Sequence, residues 1–206
     1  MSLSAVNPVT ISSDRKTITF RLKDGSSSTQ QISPTPKVKL EKLEGALTSL
    51  LSAPASNPTT SALSFGTLQW ELDPLGDAIH RHVALSSPEE RERLEQAIMA
   101  AAEELNHHPH LARGNGGERE EYGGYITITC TTHSPRGLSA RDTRLAMRIN
   151  ELLAGLEVTK PVEPTTAQGQ ESVQKQITTQ RDRLVAINRQ GISDALESCA
   201  CGTAKS

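Results

Sequence analysis

The residues able to do chemistry crowd into two short stretches. Three of the six histidines stand in His107-His108-Pro109-His110, just after Glu103 and Glu104, and another, His133, follows Thr132 in a run that alternates apolar and polar residues. Imidazole is the side chain whose ordinary pKa lies closest to neutrality, so such a cluster suits a reaction in which one group takes a proton and another gives one. Proline drives the preceding residue into extended conformations. A helix running into this motif is therefore expected to end with His107 while His108 leaves in a β-like direction, with the two rings pointing to different places.

Other chemistries fit these residues less well. His-His-Pro-His is neither an i, i+4 helical pair nor the Cys-Cys/His-His spacing of zinc sites. Cys199-Ala200-Cys201 could take a soft metal but lies in a terminal tail with no histidine near it in sequence. No Gly-x-Ser-x-Gly elbow is present, and Cys130 falls on the apolar side of its alternating run, where a thiol is inert. Gly114-Asn115-Gly116-Gly117 lacks the Lys-Ser/Thr of a phosphate-binding loop. Each histidine also has a plainer reading, as a dipole partner at a helix end or a solvated strand end.

The elements that must position these groups lie in the middle of the chain. Leu68–Leu72 and Ala78–Leu85 read as strands separated by the turn composition Asp73-Pro74-Leu75-Gly76. Ser86 or Ser87, then Pro88, Glu89 and Glu90, mark a helix start, continued on one face by Leu94, Ala97, Ile98, Ala101, Ala102 and Leu105. Tyr125 to His133 alternates strictly, as expected of a strand with one buried and one polar face. Ser139-Ala140-Arg141-Asp142 has the form of a capping box, ahead of a helix with Leu145, Ile149, Leu152, Leu153 and Leu156 on its apolar face. With room for another strand before Tyr125, this order predicts an α+β domain: an antiparallel four-stranded sheet with helices packed on one face.

Pro/Ser/Thr-rich stretches at 26–36, 53–61 and 160–170 punctuate the 206 residues. Residues 1–60 form an N-terminal extension, with a strand at Lys16–Leu22 and a helix bearing Leu40, Leu43, Leu47, Leu50 and Leu51. Residues 61–157 form the main domain. Residues 158–206 form a polar, partly helical or disordered tail whose thin apolar stripe is Val173, Ile177, Leu184, Ile187 and Leu196. The balance of 22 basic against 24 acidic residues gives a net charge of -2, which argues against direct nucleic-acid binding and against a polybasic membrane-surface role. No apolar run approaches a membrane span, three cysteines do not make a disulfide framework, and the first residues lack a secretory signal. A cytoplasmic location is the expectation, with mitochondrial import as the alternative.

Together, Glu103-Glu104-Leu105-Asn106-His107-His108-Pro109, Thr132-His133, and Gly137-Leu138-Ser139 followed by Asp142 resemble the pterin-4a-carbinolamine dehydratases, as do Trp70 and Asp77-Ala78-Ile79 ahead of the first helix. The resemblance spans about Leu68 to Leu156. It implies dehydration of 4a-hydroxytetrahydrobiopterin to quinonoid dihydropterin, in tetrahydrobiopterin recycling, with no metal and no organic cofactor. His107, His108 and His133 fall on the family's catalytic histidines, and Glu103, Pro109, Thr132 and Asp142 are the supporting or substrate-binding positions it implies. A homodimer or homotetramer is implied as well. Where the family commonly has an acidic residue and an aromatic one after His-His-Pro, this chain has His110-Leu111, and a Gly-rich insertion at 113–124 follows, with Tyr122 and Tyr125 as the nearest aromatic residues. The alternative function is a dehydratase-like binding or regulatory module, since the family includes a transcriptional coactivator.

Overall fold

The computed structural model describes residues 9–21, 25–51, 70–85, 87–114, 124–154 and 167–201, with the side chains of 167–177 and 198–201 outside that description. Most of the Gly-rich insertion, Tyr122, the linkers near 53–61 and 160–166, and the side chains of Val173, Ile177, Cys199 and Cys201 therefore lie outside the described residues.

The chain opens with an antiparallel meander, β1 (Val9–Ile11), β2 (Thr17–Arg21) and β3 (Ser27–Gln31), followed by α1 (Leu40–Leu50). Next come β4 (Glu71–Leu72), β5 (Ile79–Ala84), α2 (Pro88–Leu105), β6 (His110–Gly114) and β7 (Tyr125–Cys130). The four strands form one antiparallel sheet in the order β4-β5-β7-β6, and β6 is the additional strand expected before Tyr125. The hairpin β8 (Thr132–His133) and β9 (Arg136–Gly137) then leads into α3 (Ala140–Ala154), and α4 (Ala167–Cys201) closes the described chain. The architecture is α+β.

Registers across the sheet sort its side chains into two faces. Arg81 of β5 stands opposite Ile128 of β7 and Val83 opposite Ile126, so these share the face that meets α3 through Arg81–Asn150 and α2 through Arg113–Glu95. That face joins a core that includes Leu94, Ile98, Ile126, Ile128, Leu145 and Ile149, and it is continuous with Val9, Phe20, Leu43 and Leu47 of the N-terminal segment. The meander is fastened to the domain at close range. Gly76 turns at φ +72, and a Cβ there would lie 2.4 Å from the Gln31 carbonyl oxygen, so only glycine allows this approach.

The second face, with His80, His82, Thr127 and Thr129, was expected to be the polar, open side of the β7 run. It is buried instead: Thr127 and Thr129 have no exposure. Helix α4 lies over it, and Asn188 Nδ2 donates to the Thr127 carbonyl at 3.0 Å and to Thr129 Oγ1 at 2.8 Å. Leu184 and Ile192, one turn to either side of Asn188, are buried with it, whereas Ile187 is about half exposed (48 %). The contact stripe of α4 is thus Leu184-Asn188-Ile192, rotated from the one read by hydrophobicity, because a polar sheet face selects a polar residue at its centre. Helices consequently pack on both faces, α4 on the one opposite α2 and α3. Among the described residues no helix is long and apolar enough to cross a membrane.

Candidate active site

Helix α2 delivers the His-His-Pro motif. Its start follows the sequence signal: Ser87 Oγ accepts from the Glu90 N–H at 3.2 Å, with Pro88, Glu89 and Glu90 in the first turn. Its end comes two residues before the expected His107. Asn106 adopts the left-handed conformation (φ 47, ψ 48), the Asn106 N–H bonds the Glu103 carbonyl at 3.1 Å, and the His107 N–H bonds the Ala102 carbonyl at 2.9 Å. These are the paired bonds of a Schellman motif, in which asparagine is the usual substitute for glycine. The stop is therefore made by Asn106, and Pro109 acts later, holding the chain extended into β6.

The two adjacent rings diverge. His107 turns inward and donates Nε2–H to Asp142 Oδ1 at 2.6 Å; the His107 side chain is 11 % exposed and that of Asp142 has no exposure. His108 faces solvent and donates to Glu103 Oε1 at 3.0 Å, with its side chain 48 % exposed. Asp142 is the organising group. Its Oδ2 accepts from Thr132 Oγ1 (2.8 Å), the Ser139 N–H (2.7 Å) and Ser139 Oγ (2.8 Å), and Ser139 Oγ in turn accepts from the Arg141 N–H (3.1 Å). The expected capping box is present, and its acid spends its other oxygen on His107. One carboxylate thus ties the start of α3, the strand β8 and the end of α2 together.

His133, next to Thr132 on β8, is half-buried and points its Nε2 to within 2.8 Å of Nε2 of His110, the first residue of β6. The rings meet edge to face, centroids 5.0 Å apart at 76°. Burial first, and then the neighbouring His107, lower the pKa of His133, against a smaller upward pull from Asp142. Burial and the charge of His133 push His110 down to about 4. Strand register places His110 opposite Thr129, on the face that α4 covers. A Cβ on Gly191 of α4 would stand 3.3 Å from His110 Nδ1, so the helix accepts a glycine, at a cost of about 1 kcal/mol relative to alanine, where the ring needs room.

The structure therefore brings together His107, Asp142, Thr132, Ser139, His133 and His110, while His108 and Glu103 form a separate exposed pair beside them. Cys130 is fully buried, and burial followed by Asp142 raises its thiol pKa well above the ordinary value. The pterin 4 alpha carbinolamine dehydratase family model matches residues 53–152. A relative from Chelativorans sp. (strain BNC1), named "Putative pterin-4-alpha-carbinolamine dehydratase", is 34% identical over 86 residues, which are 42% of this chain and 80% of that protein. The chain belongs to this family. Family membership indicates pterin carbinolamine dehydratase chemistry, a hydro-lyase reaction on a pterin substrate.

In the sequence His110 belongs to the histidine cluster and departs from the family pattern, with no role assigned to it, and the second polar cluster goes unmarked. That cluster lies under α4: His80 Nε2 donates to Asp73 Oδ2 at 2.7 Å while Thr129 Oγ1 lies 2.8 Å from His80 Nδ1, and Arg189 of α4 bridges Asp73 and Asp77. Because Asp73 can only accept, His80 donates to it from Nε2, and its Nδ1 is left facing the Thr129 hydroxyl. No local signal marks it: Asp73 and Asp77 lie on one turn and His80 and His82 on one strand face, a polar set that sequence pattern reads as solvent-facing.

Proposed function

We propose that this chain dehydrates a 4a-hydroxytetrahydropterin to the quinonoid dihydropterin by histidine general acid–base catalysis, as part of tetrahydrobiopterin recycling. The reaction removes one water: a base takes the N5 proton, the C4a–O bond breaks, and an acid protonates the departing hydroxyl. His108 and His133 are the groups assigned to contact substrate, His107 is a further acid or orienting group, and Glu103 orients His108. Pro109, Thr132 and Asp142 support them. Each proton transfer of this kind contributes on the order of 100- to 10,000-fold.

The observation that carries this reading is the Asp142 cluster, in which a fully buried carboxylate holds His107 in one tautomer and fixes the strand that presents His133. Oriented imidazoles with one nitrogen committed and the other unengaged are what proton transfer to and from a bound substrate requires. The proposal places the catalytic unit in residues 61–157, with 1–60 and 158–206 as accessory segments, in a cytoplasmic homodimer or homotetramer. The experiment is a stopped-flow assay in which 4a-hydroxytetrahydropterin is generated in place and its decay followed. Wild type should accelerate the decay, and His108→Ala and His133→Ala should each lose about 100-fold or more. A folded wild type that gives no acceleration over buffer overturns the proposal.

A second reading, a module that binds pterin without turnover, is favoured by one feature: His110 already occupies Nε2 of His133. In that case the same assay returns no acceleration while calorimetry detects pterin binding.

A further inference from the structure

We propose that His110 is a positioning residue that fixes which ring nitrogen of His133 carries the proton. The catalytic consequence rests on the dehydratase reading above; the geometric claim does not.

Two imidazole nitrogens 2.8 Å apart hold a single proton between them. Two N–H groups would collide along that line, and two lone pairs would repel, so one ring donates and the other accepts. An edge-to-face arrangement at 76° is the geometry of an in-plane N–H···N bond and is incompatible with stacking. The partners are unequal in freedom. His110 begins β6, the edge strand, its backbone paired with Thr129 of the inner strand β7, and Gly191 of α4 lies beside its Nδ1. His133 lies on a two-residue strand anchored through Thr132 to Asp142 and joined through Ser134-Pro135 to Arg136, and its Nδ1 has no hydrogen-bond partner among the described residues. The ring backed by α4 therefore dictates to the one whose other nitrogen is open.

The surroundings keep the pair at one shared proton. His107, from the end of α2, and Asp142, from α3, act on His133 electrostatically and pull in opposite directions. From α4, residue 191 brings no charge, and Arg189 is committed to Asp73 and Asp77. Both histidines are lowered by burial, which disfavours a doubly charged pair. Among the described residues, Nδ1 of His133 and Nδ1 of His107 have no hydrogen-bond partner, while both Nε2 atoms are taken. A pterin would thus meet His133 through Nδ1, in a tautomer chosen by His110.

The test reads the tautomer directly. Long-range proton–nitrogen correlation spectra of the ring nitrogens are recorded at neutral pH for wild type, His110→Phe and His110→Gln, with His110→Ala as a further comparison should the phenyl ring crowd Gly191. Wild type should show His133 in a single tautomer. His110→Phe and His110→Ala should show the exchanging mixture of an unconstrained imidazole. His110→Gln, whose amide can replace the Nε2 contact, should restore the single tautomer. Turnover should follow, with kcat about tenfold lower in His110→Phe, KM nearly unchanged, and most of the loss recovered in His110→Gln. An unaltered His133 tautomer in both His110→Phe and His110→Ala overturns the inference. If wild type fails to turn over at all, the dehydratase reading falls while the spectra still decide the role of His110.

Discussion

Removing the guanidinium of Arg189 should change how the protein responds to acid, and the size of that change follows from the contacts. Asp73 is almost fully buried, which by itself would raise its pKa; His80, Arg189 and the Leu75 N–H more than reverse this and hold it at about 2, against an ordinary 3.8. Asp77 is lowered as well, burial again being outweighed by hydrogen bonds from Arg189 and Arg136. A carboxylate whose folded pKa lies below its unfolded one stabilises the fold fully above the unfolded value and loses that contribution as pH falls through the folded one. For Asp73 alone the shift corresponds to about 2 kcal/mol, present above about pH 5 and gone near about pH 2. Arg189→Met keeps the aliphatic stem over the sheet but leaves both carboxylates short of a partner, at a cost of about 3 kcal/mol at neutral pH.

The readout is the difference between the two proteins. Urea unfolding from pH 7 to about 2.5 should give a gap that is widest at neutrality and narrows below about pH 4.5, as the carboxylates of the folded variant, no longer held down by Arg189, take up protons while Asp73 of the wild type stays ionised until about pH 2. Taking the difference removes groups that titrate alike in both proteins. Amide exchange along α4 should be faster in the variant at neutral pH, since Arg189 is the ionic tie of that helix to the turn at Asp73–Asp77. Parallel stability curves over the whole range would refute the argument that the Arg189–Asp73–Asp77 contact sets the carboxylate pKa values.

Other consequences are open to simpler measurements. Asp142→Asn replaces an acceptor of four hydrogen bonds by a group that must donate on one side, so thermal unfolding should report a loss of about 2–4 kcal/mol, along with a large loss of turnover. His108→Ala removes an exposed ring, so chemical denaturation should find stability within about 0.5 kcal/mol of wild type; any loss of activity then reports on chemistry alone. His82, lowered to about 3 by burial and then by His80 and Arg181, is neutral when folded. It protonates more readily once unfolded, so its contribution falls as pH drops below about 6.5. His82→Gln should flatten the stability profile between about pH 6 and pH 4, read by urea midpoints. Asn188→Leu takes the amide donor from the Thr127 carbonyl and from Thr129 Oγ1, which keeps its contact with His80, and should lower the unfolding free energy by about 1–3 kcal/mol.

Much of the framework was legible because local rules and tertiary structure agree there. The Ser87-Pro88 start and the Ser139/Asp142 capping box close their hydrogen bonds within a few residues, and the period-2 run of β7 shows in its side-chain alternation whatever strands it pairs with. The divergence of His107 and His108 was readable for the same reason, although the stop was attributed to proline when Asn106 makes it. What could not be read is contact between distant segments. The Asp142 capping acid and the His107 it holds are 35 positions apart in sequence, and His110 and His133 are 23 apart.

The covered sheet face makes the reason concrete. Alternation of Ile126, Ile128 and Cys130 with Thr127 and Thr129 is the ordinary mark of a strand half in solvent, and the inference fails only if something polar covers the second side. Hydrophobic periodicity cannot find such a cover, since it looks for an apolar stripe, and the strongest apolar residue it selects on that stretch, Ile187, is half exposed. The fit instead lies in hydrogen bonding: Asn188 to Thr127 and Thr129, Arg189 to Asp73 and Asp77, and a glycine opposite His110. A polar face costs less to bury where its donors meet acceptors, Nη1 of Arg189 being the buried exception here, and it then specifies its partner more tightly than an apolar one would. The same helix that closes this network also backs the ring that meets His133. A change at Asn188 or Gly191, remote in sequence from the histidine motif, should therefore be felt at His133 as well as in stability.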